Sequence, residues 1–329
     1  MKQQRYGQAI RLASTVGLSR KEWLDIRQQG IGSSDAAVAV GLSPYKSALS
    51  LWLEKTGRKQ PEDLSSKEAV LWGTVLEPVL ASVYAERTGR KVRRVNAVLQ
   101  HPEFPYLLAN LDREVIGLPE GTGILEIKTA SYHAAPQWEE GVPVAYQCQV
   151  LHQLAVTGLA WADVAVLIGG QDFRIYRIER DADKMADLLE REAAFWRCVT
   201  EDVQPEPDGS SDAGTALQWL YPQDNGLSVD FTDSAEFCQL FADLLKLRDI
   251  KEQTEAQESQ LKQRVQNALG DATTALFTGG KVTWKKSKDR IAPDIDRLST
   301  EHPEIVQQYS KPVVGSRRFV IQTDRRSAS

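Results

Sequence analysis

Glu126 and Lys128 stand two residues apart in GILEIKTA, Gly123 to Ala130, a run that is otherwise almost wholly apolar. Side chains two apart on a strand point to the same face. A strand here sets a carboxylate and an ammonium side by side while Leu125 and Ile127 enter a core. As a stabilising device such a pair is poor, because desolvating two charges can cost more than their attraction returns. The pair gains a purpose when a third charge joins it. Asp112 lies upstream in ANLDREV, and the intervening GLPEGTG carries the glycines and proline of a turn. The two runs should form a hairpin that brings Asp112 beside Glu126. Two carboxylates and a lysine suit metal-assisted phosphodiester hydrolysis: hard Mg²⁺ prefers oxygen ligands, and bound ions polarise the phosphate and acidify an attacking water. The lysine can position that water and screen developing negative charge. Asp/Glu-x-Lys recurs only at Asp249 to Lys251, in a long charged helical pattern, and reads there as surface.

The elements that must position these residues follow from periodicity and breakers. KVRRVNAVLQ, YLLANLDREVIG and GILEIKTA carry strand signals, and WADVAVLIGGQDFRIYRIER reads as a hairpin around Gly169 and Gly170. VPVAYQCQVLHQLAVTG reads as a helix with Pro143 near its start and Gly158 after its end. It places Tyr146, Gln149 and Gln153 on one face by 3–4 spacing. Further helices are expected near Trp23 to Arg27, after Ser33 to Asp35, and over Ala48 to Thr56. Another starts at Ser65 or Ser66, carries Glu77 and Pro78 and ends at Gly89, and the last of the group spans Asp181 to Thr200. The order predicts an α/β core with a mixed central sheet flanked by helices. Residues 1–200 form this domain, 201–233 read as a linker by composition, and 234–329 read as a helical or coiled-coil arm with a small β-hairpin and a basic tail.

Bulk properties narrow the classes. The 329 residues carry a formal charge of −5, yet Lys281 to Ser329 alone holds 11 Lys/Arg against 6 Asp/Glu. A second basic cluster comprises Arg87, Arg90, Lys91, Arg93 and Arg94. No run is apolar for the roughly 18 residues a membrane span needs, and the first residues lack the apolar core of a secretory leader. With three scattered cysteines, Cys148, Cys198 and Cys238, a reducing cytoplasm is expected. Three cysteines cannot supply the four thiolates of an iron–sulfur nuclease. His101, His133, His152 and His302 lack zinc-like spacing. No Gly-x-x-x-x-Gly-Lys-Ser/Thr loop is present, so no ATP-driven step is expected. The tryptophans are more often core than stacking platforms, and Trp138, in PQWEEGVP near the site, is the one to test.

LDREV followed by GILEIKTA resembles the PD-(D/E)xK nuclease pattern, with no proline directly before Asp112. Three further stretches, in order, resemble the YqaJ-like viral recombinases, relatives of phage lambda exonuclease. WLDIRQQGIGSSDAAVAVGLSPY matches their amino-terminal block, WGTVLEPVLA their glutamate-bearing helix, and AYQCQVLHQLAVTG their Tyr-x-x-Gln helix. The resemblance covers roughly Trp23 to Thr200 and implies a restriction-endonuclease-like core. It implies that Asp112 and Glu126, with the Ile127 carbonyl, hold the metal, that Lys128 positions the nucleophilic water, and that Glu77 supports a second ion. Gln149 would orient the lysine or the phosphate, Tyr146 would support it, and Arg27 and Ser34 would receive a 5′-terminal phosphate.

The activity implied is a Mg²⁺-dependent 5′→3′ exonuclease on double-stranded DNA ends, with two ions per site and Mn²⁺ able to substitute. Its product is a 3′ single-stranded tail handed to a strand-annealing protein. A homo-oligomeric ring around the duplex is also implied, with basic residues facing the channel, and sedimentation as a monomer would remove it. Two alternatives stay open: a nicking or structure-selective endonuclease on the same core, and a non-catalytic recombination scaffold.

Overall fold

The computed structural model describes residues 6–64, 66–313 and 315–323. It divides into two compact units, Met1–Tyr221 and Pro222–Ser329. The first unit runs β1 (Ile10–Ser14), α1 (Arg20–Gln28), β2 (Ile31–Gly32), a 3₁₀ turn (Ser33–Asp35), α2 (Ala36–Ala39), α3 (Ala48–Lys55) and α4 (Glu68–Thr88). It continues with β3 (Lys91–Arg94), β4 (Ala97–Gln100), β5 (Leu107–Ala109), β6 (Arg113–Ile116), β7 (Gly123–Ala130) and α5 (Val144–Thr157). It ends with β8 (Trp161–Ile168), β9 (Asp172–Glu179), α6 (Ala182–Thr200) and α7 (Ser211–Leu220). The expected start of α4 at Ser65 lies outside the described residues, and the helix itself begins at Glu68.

The central sheet has the order β3-β6-β7-β8-β9. It is mixed: β7 and β8 run parallel and every other pair is antiparallel. Parallel neighbours need a long crossover, and α5 supplies it, ending at Gly158 with φ 70°. Gly123 has a packing reason, since a Cβ there would meet the Trp161 ring at 2.4 Å. The alternation of β7 sorts its side chains as expected. Leu125 and Ile127 pack with Leu80 and Tyr84 of α4, whereas Ile124 packs with Val150 and Leu154 of α5. Glu126 and Lys128 share the α5 face.

YLLANLDREVIG is not one strand. Its first part, β5, belongs to a second sheet of order β1-β4-β5-β2, and its second part, β6, belongs to the central sheet. The chain changes sheets at Asn110 to Asp112, where the Asn110 amide donates to the Ala97 carbonyl at 3.1 Å. Asp112 therefore sits at a junction between sheets rather than in a ladder.

The stretch read as linker, 201–233, needs correction. It contains α7, which docks on the rest of the first unit: Asp212 accepts from the Ser47 backbone N–H at 2.8 Å and the Ser47 hydroxyl at 2.7 Å. Ala216 is buried with Leu49 and Trp52. A helix this short, with two small buried residues, has too weak an apolar stripe to stand out from its Pro- and Asp-rich flanks.

In the second unit, α8 (Ala235–Leu269) is one helix of 35 residues, not a helical hairpin, and Ser234 caps it. A hairpin of β10 (Thr274–Phe277) and β11 (Gly280–Thr283) follows, then α9 (Ile295–Glu301) and α10 (Pro303–Tyr309). Among the described residues no helix is long and apolar enough to cross a membrane.

Candidate active site

The end of the β6 ladder builds the site. Pairing with β7 stops at Arg113 opposite Leu125, which leaves the Ile127 N–H without a strand partner on that side. Asp112 Oδ2 accepts from it at 2.8 Å. A residue's N–H and C=O face the same neighbour across a ladder, so the Ile127 carbonyl projects to the side of the Asp112 carboxylate. Glu126, 3% exposed, is held at both oxygens. Lys128 Nζ donates to Oε1 at 2.7 Å and Gln149 Nε2 donates to the same atom at 2.6 Å. Gln153 Nε2 donates to Oε2 at 2.8 Å. Gln149 closes the set by accepting from Lys128 Nζ through its own Oε1 at 2.9 Å. The ammonium also lies 4.9 Å from the centre of the Tyr146 ring.

The electrostatics are those of a pocket short of positive charge. Burial and the nearby Glu126 push the Asp112 carboxyl up to about 8, with Glu77 adding to the rise. Burial lowers the Lys128 pKa, but Glu126 and Asp112 more than reverse this, so the ammonium stays charged. Glu77 comes from α4 as expected, yet its Oε1 is taken by Arg113 Nη1 at 2.6 Å. Among the described residues no group of three or more His, Cys, Asp and Glu side chains is arranged to hold an ion. The donors that fit a hard cation are two carboxylates and a backbone carbonyl, all oxygen. The raised Asp112 pKa is the observation in favour of that fit, because a bound cation would offset the repulsion that raises it.

Trp138 is 1% exposed and is no stacking platform. It lies under Tyr146 at 5.5 Å between ring centres and beside Tyr176 at 5.8 Å, fixing the ring over which Lys128 rests. His152, on the same helix as Gln149, is buried, with Nδ1 2.7 Å from Glu192 Oε1 and Nε2 2.9 Å from the Leu108 carbonyl. It ties α5 to α6 and β5.

Arg27 and Ser34 meet as expected. Arg27 Nη2 donates to Ser34 Oγ at 3.0 Å and to Asp35 Oδ1 at 2.6 Å. Lys55, missed in the sequence, donates to Asp35 Oδ2 at 2.8 Å and to the Arg27 carbonyl at 2.7 Å. These groups line a cavity of about 730 Å³ that Tyr45, Lys46 and Lys59 also border. The 3₁₀ turn that carries Ser34 and Asp35 packs against α5, the helix that carries Tyr146 and Gln149. Burial pushes the Asp35 carboxyl up, but Arg27 and Lys55 outweigh it and hold it well below the usual carboxylate range.

Gln153 was placed on the Gln149 face by helical spacing but given no role, and Arg113 was not singled out as a site residue. Gln153 follows Gln149 by one helical turn, which was the available signal. Nothing local marks Arg113, because its partner Glu77 lies 36 residues away.

Comparison with known proteins gives a consistent family. The solved structures similar to this chain include an alkaline exonuclease from Laribacter hongkongensis, at 23% identity, covering 56% of this chain and 94% of that one, with a TM-score of 0.45. Another is a phage-related exonuclease from Haemophilus somnus 129PT, at 10% identity, covering 53% and 94%, with a TM-score of 0.37. Among curated proteins, the uncharacterized protein YqaJ of Bacillus subtilis (strain 168) is 34% identical over 317 residues, spanning 94% of this chain and 97% of the relative. The YqaJ-like viral recombinase domain matches residues 22–160, which contain every residue of the acidic pocket and of the Arg27 cavity just described up to Gln153. The chain belongs to the YqaJ-like viral recombinase domain family.

Proposed function

We propose that this protein is a Mg²⁺-dependent 5′→3′ exonuclease that resects double-stranded DNA ends to 3′ single-stranded tails. The observation that carries the reading is the acidic pocket: Asp112 pushed up to about 8 beside a Glu126 already held by one lysine and two glutamines. Asp112, Glu126 and the Ile127 carbonyl would hold the metal, which when bound supplies charge to polarise the phosphate and acidify water. Glu77, held by Arg113, adds negative charge beside a second ion. Lys128 is charged and therefore acts as a donor: it orients the attacking water and screens charge developing on the phosphate. Gln149 fixes the lysine against Glu126, and Tyr146 supports the ammonium from below.

The Arg27 cavity accounts for the direction of digestion. Arg27, Lys55 and Asp35 together leave one positive charge uncompensated, which suits a terminal phosphate, with Ser34 adding a hydroxyl. Water adds to phosphorus and the P–O3′ bond breaks, so each turnover frees a 5′-mononucleotide. The new terminus again carries a 5′ phosphate for the same cavity. A homo-oligomeric ring delivering the tail to a strand-annealing protein is the assembly of this proposal.

The test is digestion of linear duplexes with and without a 5′ phosphate, in Mg²⁺ and in EDTA, beside closed circular DNA. Expected are loss of the 5′-phosphorylated strand in Mg²⁺ only, slower attack on the 5′-hydroxyl duplex, and intact circles. Cleavage of the circles would make the enzyme an endonuclease, and digestion unaffected by EDTA would remove the metal from the proposal.

A further inference from the structure

We infer that the β10–β11 hairpin of the second unit is a binding platform for single-stranded DNA. Its register pairs Ala275 with Val282 and Phe277 with Gly280. Alternation then places Ala275, Phe277 and Val282 on one face. Trp284 continues that face, with its N–H bonded to the Thr273 carbonyl at 3.0 Å. This apolar face is open: Phe277 is 52% exposed, Trp284 48% and Val282 40%. None of the three buried apolar clusters includes any of them.

Positive charge is concentrated in the same segment as these aromatics. Lys281, Lys285, Lys286, Lys288 and Arg290 fall within ten residues that contain one acid, Asp289. Lys286 pairs with Asp289 at 3.0 Å, with both side chains more than 80% exposed. Among the described residues no ion pair engages the other four cations. A chain of net charge −5 thus gathers unspent positive charge in the segment that carries the exposed rings.

The two features together select the occupant. Lysines track phosphates without regard to sequence. Exposed rings stack on base faces, and each such contact contributes about 1–3 kcal/mol. In a duplex the base faces are already stacked on one another, so the rings favour unpaired bases. Phe277 and Trp284 stand four pairing steps apart, about 13 Å along the hairpin, a span of roughly four nucleotides at the duplex spacing of about 3.4 Å per strand. The inference goes beyond the nuclease reading and needs neither metal nor hydrolysis.

The test uses the full chain in EDTA, with fluorescence anisotropy of a labelled oligothymidylate and of a blunt duplex. Phe277→Ala/Trp284→Ala and, separately, Lys285→Glu/Lys286→Glu should each weaken oligothymidylate binding about tenfold or more, while duplex binding changes less than about twofold. The lysine variant should also show a shallower salt dependence. Unchanged oligothymidylate affinity in both variants would overturn the inference, as would an equal loss on the duplex. A drop in assembly size by sedimentation, without loss of oligothymidylate binding, would assign the hairpin to contacts between copies and overturn it too. Digestion of linear duplex in Mg²⁺ by the same proteins tests the nuclease reading separately: a wild-type protein that binds oligothymidylate but digests nothing would sink that reading and leave this one standing.

Discussion

Asp35 and Asp112 are both carboxylates drawn largely out of water in the first unit, and they end in opposite states. Asp35 faces two cations, Arg27 and Lys55, and is held well below the usual carboxylate range. Asp112 receives one backbone N–H and faces a second carboxylate, and it rises to about 8. Beside each lies a neutral pair: Lys46 with Glu54 at 2.5 Å near the first, and Arg113 with Glu77 at 2.6 Å near the second. Discounting those pairs, the Arg27 cavity keeps one surplus positive charge and the acidic pocket one surplus negative charge. On the proposed reading the first receives the terminal phosphate and the second the metal.

The largest effect should come from breaking the compensated side. Lys55→Met leaves buried Asp35 with Arg27 alone and frees the Arg27 carbonyl from its donor. Removing one partner of a buried ion pair costs about 3–5 kcal/mol, and urea denaturation of the full chain should read a loss of that order in the first transition. A loss below about 1 kcal/mol would show that Asp35 is not dependent on its second cation, and the contrast with Asp112 would fail.

Much of the acidic pocket was legible because it follows from local rules. Period two on β7 put Glu126 beside Lys128, and period 3.6 on α5 put Tyr146 and Gln149 on one face. Gly169 and Gly170, at φ 58° and 76°, mark the turn that aligns β8 with β9. The rest depends on groups distant in sequence. Lys55 and Asp35 sit on separate elements and neither has a periodic signature. The switch of sheets at Asn110 to Asp112 is invisible because no glycine or proline interrupts the run from Leu107 to Ile116. α7 stayed hidden since its docking rests on one Asp212 carboxylate and two alanines. Family resemblance named Arg27 and Ser34, and only the structure shows what charges the cavity around them.

A smaller effect sharpens the contrast from the acidic side. Gln153 is wholly buried, holds Glu126 Oε2 and the Asn110 carbonyl, and leaves its own Oε1 without a hydrogen-bond partner among the described residues. An unpaired buried acceptor costs about 1–3 kcal/mol, so the glutamine is a poor choice for stability alone. As a positioning residue it fixes the plane of the Glu126 carboxylate. Gln153→Leu should weaken Mn²⁺ binding by about 10–100-fold, the range seen when a group supporting a metal ligand is removed. Calorimetric titration of the full chain reads this directly, and thermal unfolding in EDTA should change little. Unaltered Mn²⁺ affinity would reduce Gln153 to packing.

The smallest effect is a pH dependence that only the uncompensated carboxylate can produce. Asp112 has an ordinary value of 3.8 and is pushed up to about 8 in the folded protein. Between those values the folded state holds a proton that the unfolded chain has released, so stability falls as pH rises through the window. In EDTA, Asp112→Asn removes this contribution, and its Tm should drop less than the wild-type Tm between pH 5 and pH 8. Each kcal/mol of stability lost in this way lowers the Tm by about 2–4 °C in a domain of this length. The histidines are common to both proteins, so the difference isolates Asp112. Mg²⁺ at pH 8 should recover the wild-type loss and leave the variant unmoved, since the cation takes the place of the proton. Parallel pH profiles for the two proteins in EDTA would mean that Asp112 is already ionised without a metal, and the acidic pocket would then carry no unmet demand for positive charge.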